Sequence, residues 1–467
     1  MQDGDTIVLA PGVYDFHSTL HIVASRVTFV SPSEGSTFRF NHLDGDGVIV
    51  AGKGSTFKGI TFDAQTSPRE LSGANAHALI CVIGDASAEF NNCDFANSSY
   101  GHSLISSGDQ ASASLFHCRI STQCRGAILA TFQSTIFIND SIVVADNVLS
   151  AAPIGILVEN HSSLRMSNTE IRGNASISIL IASGSSATLK KCKSISHSQR
   201  DALCAHGLGT CVSATECQFS NSTEANVAAL FGAHLEADNC QFFCGMFQGC
   251  VVQGAGSAMH LRNCATRGTQ EACVSVSRAG HFTAVDSSFA FSQQMQGIAA
   301  QGTGSSVELL SCQIDSCKGT CVLALTGAMA YLHDCQILNS TSMQGVCAEG
   351  TSSSVKMVRC QVKGTKEACV VAMHGGSVEL DHCSLSNSIS SRGLSVEGNE
   401  SSAVLIDCKI KNCATAAVCV LNGAKIKIQG GTFSDCRSLE GQGMCVQGGG
   451  TIAEISNACF ARRVTGA

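Results

Sequence analysis

The chain has 467 residues, 44% of them hydrophobic and 14% charged, which excludes a disordered chain. A formal net charge of −7, 5% aromatics and no Trp remove both the basic surface and the stacking platforms of a general nucleic-acid binder. The apolar runs are short and broken by Ser, Gly or Asn, so no membrane-spanning helix is expected.

From the N-terminus, Met1 to Asp5 carries neither a positive region nor an apolar one, so no signal peptide is expected there. An apolar strand begins almost at once, at Thr6-Ile7-Val8-Leu9, as it would in a fragment of a longer protein. With an odd cysteine count this favours a cytoplasmic location, and a secreted one stays open if an upstream segment is missing. The next polar cluster holds His42, Asp44, Asp46 and Asp63, with Arg69 and Glu70 on a long insertion. Carboxylates facing one bond perform acid–base chemistry, so Asp44, Asp46 and Asp63 are the catalytic candidates. The alternative is a plain Asp-Gly turn.

From Cys93 onward one motif recurs: apolar, two polar, Cys, any residue, apolar. Its Cys slot falls at 93, 118, 192, 217, 240, 264, 312, 335, 360, 383 and 408, and is filled by Asp140, Thr169, Ser287 and Gly431 between and after these. Ten repeats separate 192 from 431, a period close to 24 residues. Within a unit such as Gly304 to Gly327, period-two apolar runs alternate with tight bends, which predicts three short strands. Two residues after the slot, Phe219, Phe242, Ile314, Ile337, Val362, Leu385, Ile410 and Phe433 form an inward stack. A Gln follows the slot at Gln218, Gln241, Gln313, Gln336 and Gln361 and points outward, near Lys363, Lys409 and Lys411. That strip is the binding candidate; a solvated sheet face is the plainer reading.

The 27 cysteines contain no C-x-x-C, so neither a metal nor a cofactor is expected. They read chiefly as packed thiols. A second inward column runs through Cys250, Cys273, Cys321, Cys369 and Cys445. Its adjacent-coil members, Cys250 and Cys273, stand about 4.8 Å apart, within disulfide reach.

The slot motif resembles the right-handed parallel β-helix repeat of the pectin-lyase-like superfamily, which reads apolar-x-x-Asn-x-Ile with Asn where this chain has Cys. Gly4 to Tyr14 is similar to the first coil of many such proteins. The resemblance implies an all-β fold, a right-handed parallel β-helix of about 18 coils in a single domain over 1–467. It does not select a function, since that architecture hosts lyases, hydrolases, epimerases, adhesins and scaffolds. Enzymes of the superfamily carry clustered Asp pairs, Gly-His-Gly or Asp-Pro-His-Glu. This chain has no Asp-Asp, and its nearest match is Ala205-His206-Gly207. The expected function is therefore a non-catalytic solenoid presenting an elongated surface to a protein or polysaccharide partner. In character it resembles the β-helix portions of eukaryotic F-box adaptor proteins. The alternative is a polysaccharide-active lyase, hydrolase or epimerase with an atypical site near the first coils.

Overall fold

The computed structural model describes residues 1–32, 35–41, 45–64, 77–97, 100–123, 125–146, 153–195, 199–436 and 443–461. Among them every element is a strand, and together they form about 18 right-handed coils of roughly 24 residues with three strands each. The chain divides into two compact units, Met1–Glu236 and Ala237–Ala467, built from the same coil.

One coil of the second unit shows the plan. Ser306–Leu310 lies on the first face, Gln313–Asp315 on the second and Val322–Leu325 on the third. Each strand pairs in parallel with its counterpart one coil on, as Ile314 does with Ile337 and Val322 with Val346. Side chains therefore stack in columns about 4.8 Å apart. Alternate residues turn inward, and Val307, Leu309, Ile314, Val322 and Ala324 are all buried. In the first unit Phe29, Phe57 and Phe90 stack face to face at 5.2 and 5.0 Å between ring centroids.

The slot motif is the two-residue turn from the first face to the second. The residue before the slot is left-handed in coil after coil, as at Asn92, Asn263, Asp334 and Asp407 (φ 51°, 52°, 55° and 47°). Asn, Asp and Gly tolerate that conformation best, which accounts for the run of short polar residues there. The slot side chain donates to the carbonyl two residues back, and it accepts the N–H of the slot residue one coil earlier. Cys360 Sγ–H donates to Val358 O at 3.3 Å and accepts from Cys335 N at 3.4 Å. Ser287 does both through its hydroxyl, at 2.8 Å to Val285 O and 3.0 Å from Cys264 N. A small group able to donate and accept is what the position demands, so Cys, Ser and Thr interchange there.

The second cysteine set does not form the single column expected. Cys250 sits beside Val274 and points inward, whereas Cys273 stands one residue earlier in register. Cys445 pairs with Cys419 on the outward side of the third face. Cys273, Cys321 and Cys369 do share a column, but there they alternate with Gly249, Gly297, Gly345 and Gly393. The glycines are needed. A Cβ on Gly297 would meet Cys321 O at 2.6 Å and Cys317 Sγ at 2.7 Å, and one on Gly345 would meet Val362 Cγ1 at 2.5 Å. The second unit thus alternates two kinds of coil. The described cysteines are free thiols, most of them buried.

Candidate functional site

The outward side of the second face carries the charge-bearing chemistry of the first unit. Strand register puts Arg39 beside Asp63 in one column, and Asp94 beside Arg119 in the column two residues earlier. Asp63 is only 3% exposed, and Arg39 Nε donates to its Oδ2 at 3.1 Å. The other oxygen, Oδ1, is buried without a hydrogen-bond partner among the described residues, and so is Oδ1 of Asp94. Burial raises the pKa of Asp94, the neighbouring Asp63 raises it further, and Arg119 offsets part of the rise. Both carboxylates thus sit diagonally on adjacent coils, with their Cα atoms about 8 Å apart by strand geometry.

Beside them lies a hollow of about 550 Å³. Ala96, Arg119, Ser121, Gln123, Val144 and Asp146 are among the residues that line it. Ala96 is the register partner of Asp63 and Arg119 that of Asp94, so the acid pair adjoins one end of the hollow. The strands of the third face are apolar on this side. Its outward column in the same unit runs Ile49, Cys81, Ile105, Leu129, Leu157, Leu180.

The sequence-derived candidates fall in different places. Asp44, with His42, Arg69 and Glu70, lies outside the described residues. Asp46 stands at the start of the third face, where its Oδ1 accepts the N–H of Ala78 at 2.6 Å and lies 3.8 Å from His77 Nδ1. Asp63 belongs to the second face and is the candidate brought together with Asp94. Asp94 was missed, although it follows Cys93 as Gln218 follows Cys217. Gln313, Gln336 and Gln361 form one exposed column that continues through Ser384 to Lys409. Lys363 and Lys411 are in the parallel column, with Ser386 between them. Gln218 is half-buried in the first unit beside Lys193, and Gln241 is exposed in the second beside Ala265. Among the described residues no three His, Cys, Asp or Glu side chains are grouped to hold a metal. Among the described residues no helix is long and apolar enough to cross a membrane.

A family model described as "Right handed beta helix region" matches residues 154–306 and 296–460, well over half of the chain. The chain belongs to the right-handed β-helix family. Solved structures that resemble this β-helix include the catalytic unit of a thermostable α-1,3-glucanase from Streptomyces thermodiastaticus. It is 9% identical over 70% of this chain and 63% of its own, with a TM-score of 0.44. A mutant periplasmic alginate epimerase is 9% identical over 71% and 78% of the two chains (TM-score 0.36). A mutant alginate lyase is 9% identical over 99% and 98% (TM-score 0.34). The β-helix protein thus spans about 63% of the glucanase unit's length. These three neighbours act on polysaccharides, and at such identity the likeness is one of fold. No curated protein sequence matches the chain.

Proposed function

We propose that this β-helix protein is polysaccharide-active, with its reacting site at Asp63 and Asp94 on the second face. The observation that supports this is the acid pair itself. Two carboxylates on adjacent coils each hold a buried oxygen without a partner among the described residues, next to a hollow large enough for a sugar ring. A carboxyl whose pKa is raised by burial keeps its proton to higher pH, which suits Asp94 for the general acid. Asp63 is the general base. In the step, Asp94 gives its proton to the glycosidic oxygen as the C–O bond breaks. Water adds to the anomeric carbon and its proton passes to Asp63. Arg119 holds a substrate hydroxyl or carboxylate in the hollow. Side chains that project in parallel from Cα atoms about 8 Å apart leave room for that water, and inverting glycosidases hold their carboxyls roughly 6.5–9.5 Å apart.

The test is turnover on a panel of polyuronates and neutral polysaccharides, with and without Ca²⁺. New reducing ends are expected, with inversion at the anomeric carbon. Asp94→Asn is expected to lower the rate by about 10²-fold or more. The rate should also fall as pH rises through the raised pKa of Asp94, because the acid must be protonated.

A non-catalytic reading has its own support in the exposed column Gln313, Gln336, Gln361 and Lys409, with Lys363 and Lys411 alongside. It is a regular polar strip of a kind that suits an extended protein or polysaccharide partner. Silence of folded protein across the panel would leave this reading ahead, and replacing those glutamines should then abolish partner capture.

A further inference from the structure

The outward side of the first face carries a second hollow, of about 690 Å³, within the first unit. Half-buried Phe137 is its aromatic wall. Arg165, the register partner one coil on, sets its guanidinium 5.6 Å from the ring centroid and so covers one side of the ring. The partner one coil earlier is Ser114, whose small side chain leaves the opposite side open.

The polar wall is more telling. Gln110, Gln133 and His161 occupy the same position in the turns of three consecutive coils, each two residues before a paired strand start (Ser112, Thr135, Ser163). All three are left-handed, with φ 73°, 63° and 60°. In most other coils glycine fills that position, as at Gly184, Gly209, Gly232, Gly256, Gly304 and Gly327. A non-glycine residue there costs about 1–2 kcal/mol. The cost recurs in the three adjacent coils that border the hollow, and none of these three side chains makes a hydrogen bond among the described residues to offset it. Single coils elsewhere carry the same conformation at Arg26, Ala279, Ser352 and Glu400, so what sets this place apart is that three adjacent coils turn two amides and an imidazole towards one hollow.

We propose that this hollow is a saccharide-binding subsite, separate from the acid pair, that seats an uncharged sugar ring against the open side of Phe137. The amides of Gln110 and Gln133 each donate and accept, as hydroxyl groups require, and the apolar face of a sugar ring packs on an aromatic one. Asp109 is the carboxylate of the lining and Arg165 stands over the far side of the ring, so the two offset each other and the hollow has no surplus of cationic side chains to draw in a polyanion.

The test is calorimetric titration of the full chain with cellohexaose, laminarihexaose and maltohexaose, with polygalacturonate as the anionic comparison. At least one neutral oligosaccharide should bind. Phe137→Ala and Gln133→Gly should each weaken it about tenfold or more. Gln133→Gly should melt at the same temperature or higher, because it relieves the left-handed turn while removing the amide. Asp94→Asn should leave this affinity unchanged. No binding of the three neutral probes, or unchanged affinity in both folded variants, overturns the proposal. So does a loss of equal size in Asp94→Asn, which would move the ligand to the second face.

Discussion

Two buried titratable side chains give the protein opposite responses to pH. Asp201 is 4% exposed and accepts the N–H of Ala225 at 3.1 Å. Burial lifts its pKa from 3.8 to about 6, Glu224 adds to the rise and Arg200 subtracts from it. The folded chain thus holds a proton that the unfolded chain releases, and stability falls as pH rises through that interval. Asp201→Asn keeps the acceptor and removes the charge. It should raise the melting temperature at pH 7, by the equivalent of up to about 3 kcal/mol, and the gain should vanish near pH 4. His102 does the reverse. Burial first, and Arg125 second, lower its pKa from 6.5 to about 4, so its neutral ring favours the fold above that interval and the benefit is lost on acidification. His102→Gln should flatten the acid limb of a melting-temperature profile. Neither residue is marked in the sequence, because burial on a coil's edge depends on the neighbouring coil, some two dozen residues away in the chain. Asp94 was more accessible to inference. It follows slot residue Cys93 and precedes Arg119 in its column, so extending the Gln column towards the N-terminus would have selected it.

At the scale of the element, the slot turn was the most legible feature. Its spacing is local, fixed by two residues of turn and two faces of strand, and every coil repeats it. What the spacing alone does not tell is why cysteine, serine and threonine interchange. That follows from the bridge the side chain makes to the coil before. Cys360→Ser should therefore leave stability within about 0.5 kcal/mol, whereas Cys360→Ala should cost about 1–3 kcal/mol, because Cys335 N–H then lies buried without an acceptor. Chemical denaturation of both variants separates the two outcomes. The second cysteine set was misread because its members stand at different distances from their slots, Cys250 ten residues after Cys240 but Cys273 nine after Cys264, and one residue of offset moves a side chain to a different column. Gly297→Ala tests the crowding in that column. With a backbone oxygen at 2.6 Å the new methyl forces a shift, and a loss of about 1–3 kcal/mol is expected.

At the scale of the molecule, a chain with 14% charged residues and very few prolines is held together by repetition. Each coil buries its apolar residues on the coils above and below, so stability is close to a sum of neighbour terms. Such a fold is legible from its period even where individual residues are not, while its sites are departures from the repeat. The acid pair lies where charged residues replace the usual outward polar ones. The first-face hollow lies where three adjacent coils carry large side chains at a position that most coils give to glycine.

The alternation of glycine and cysteine coils in the second unit bears on how such a chain grows and shrinks. Because each glycine coil is shaped to its cysteine neighbour, the unit that recombination can copy or lose without injury is the pair. Excising one coil joins two of a kind and sets side chain against backbone or leaves a gap. Excising two restores the original seam. A shortened protein lacking residues 273–320 should accordingly melt cooperatively and near the parent, and one lacking only 273–296 well below it. Gains and losses of an even number of coils are then the form in which length would vary among its descendants.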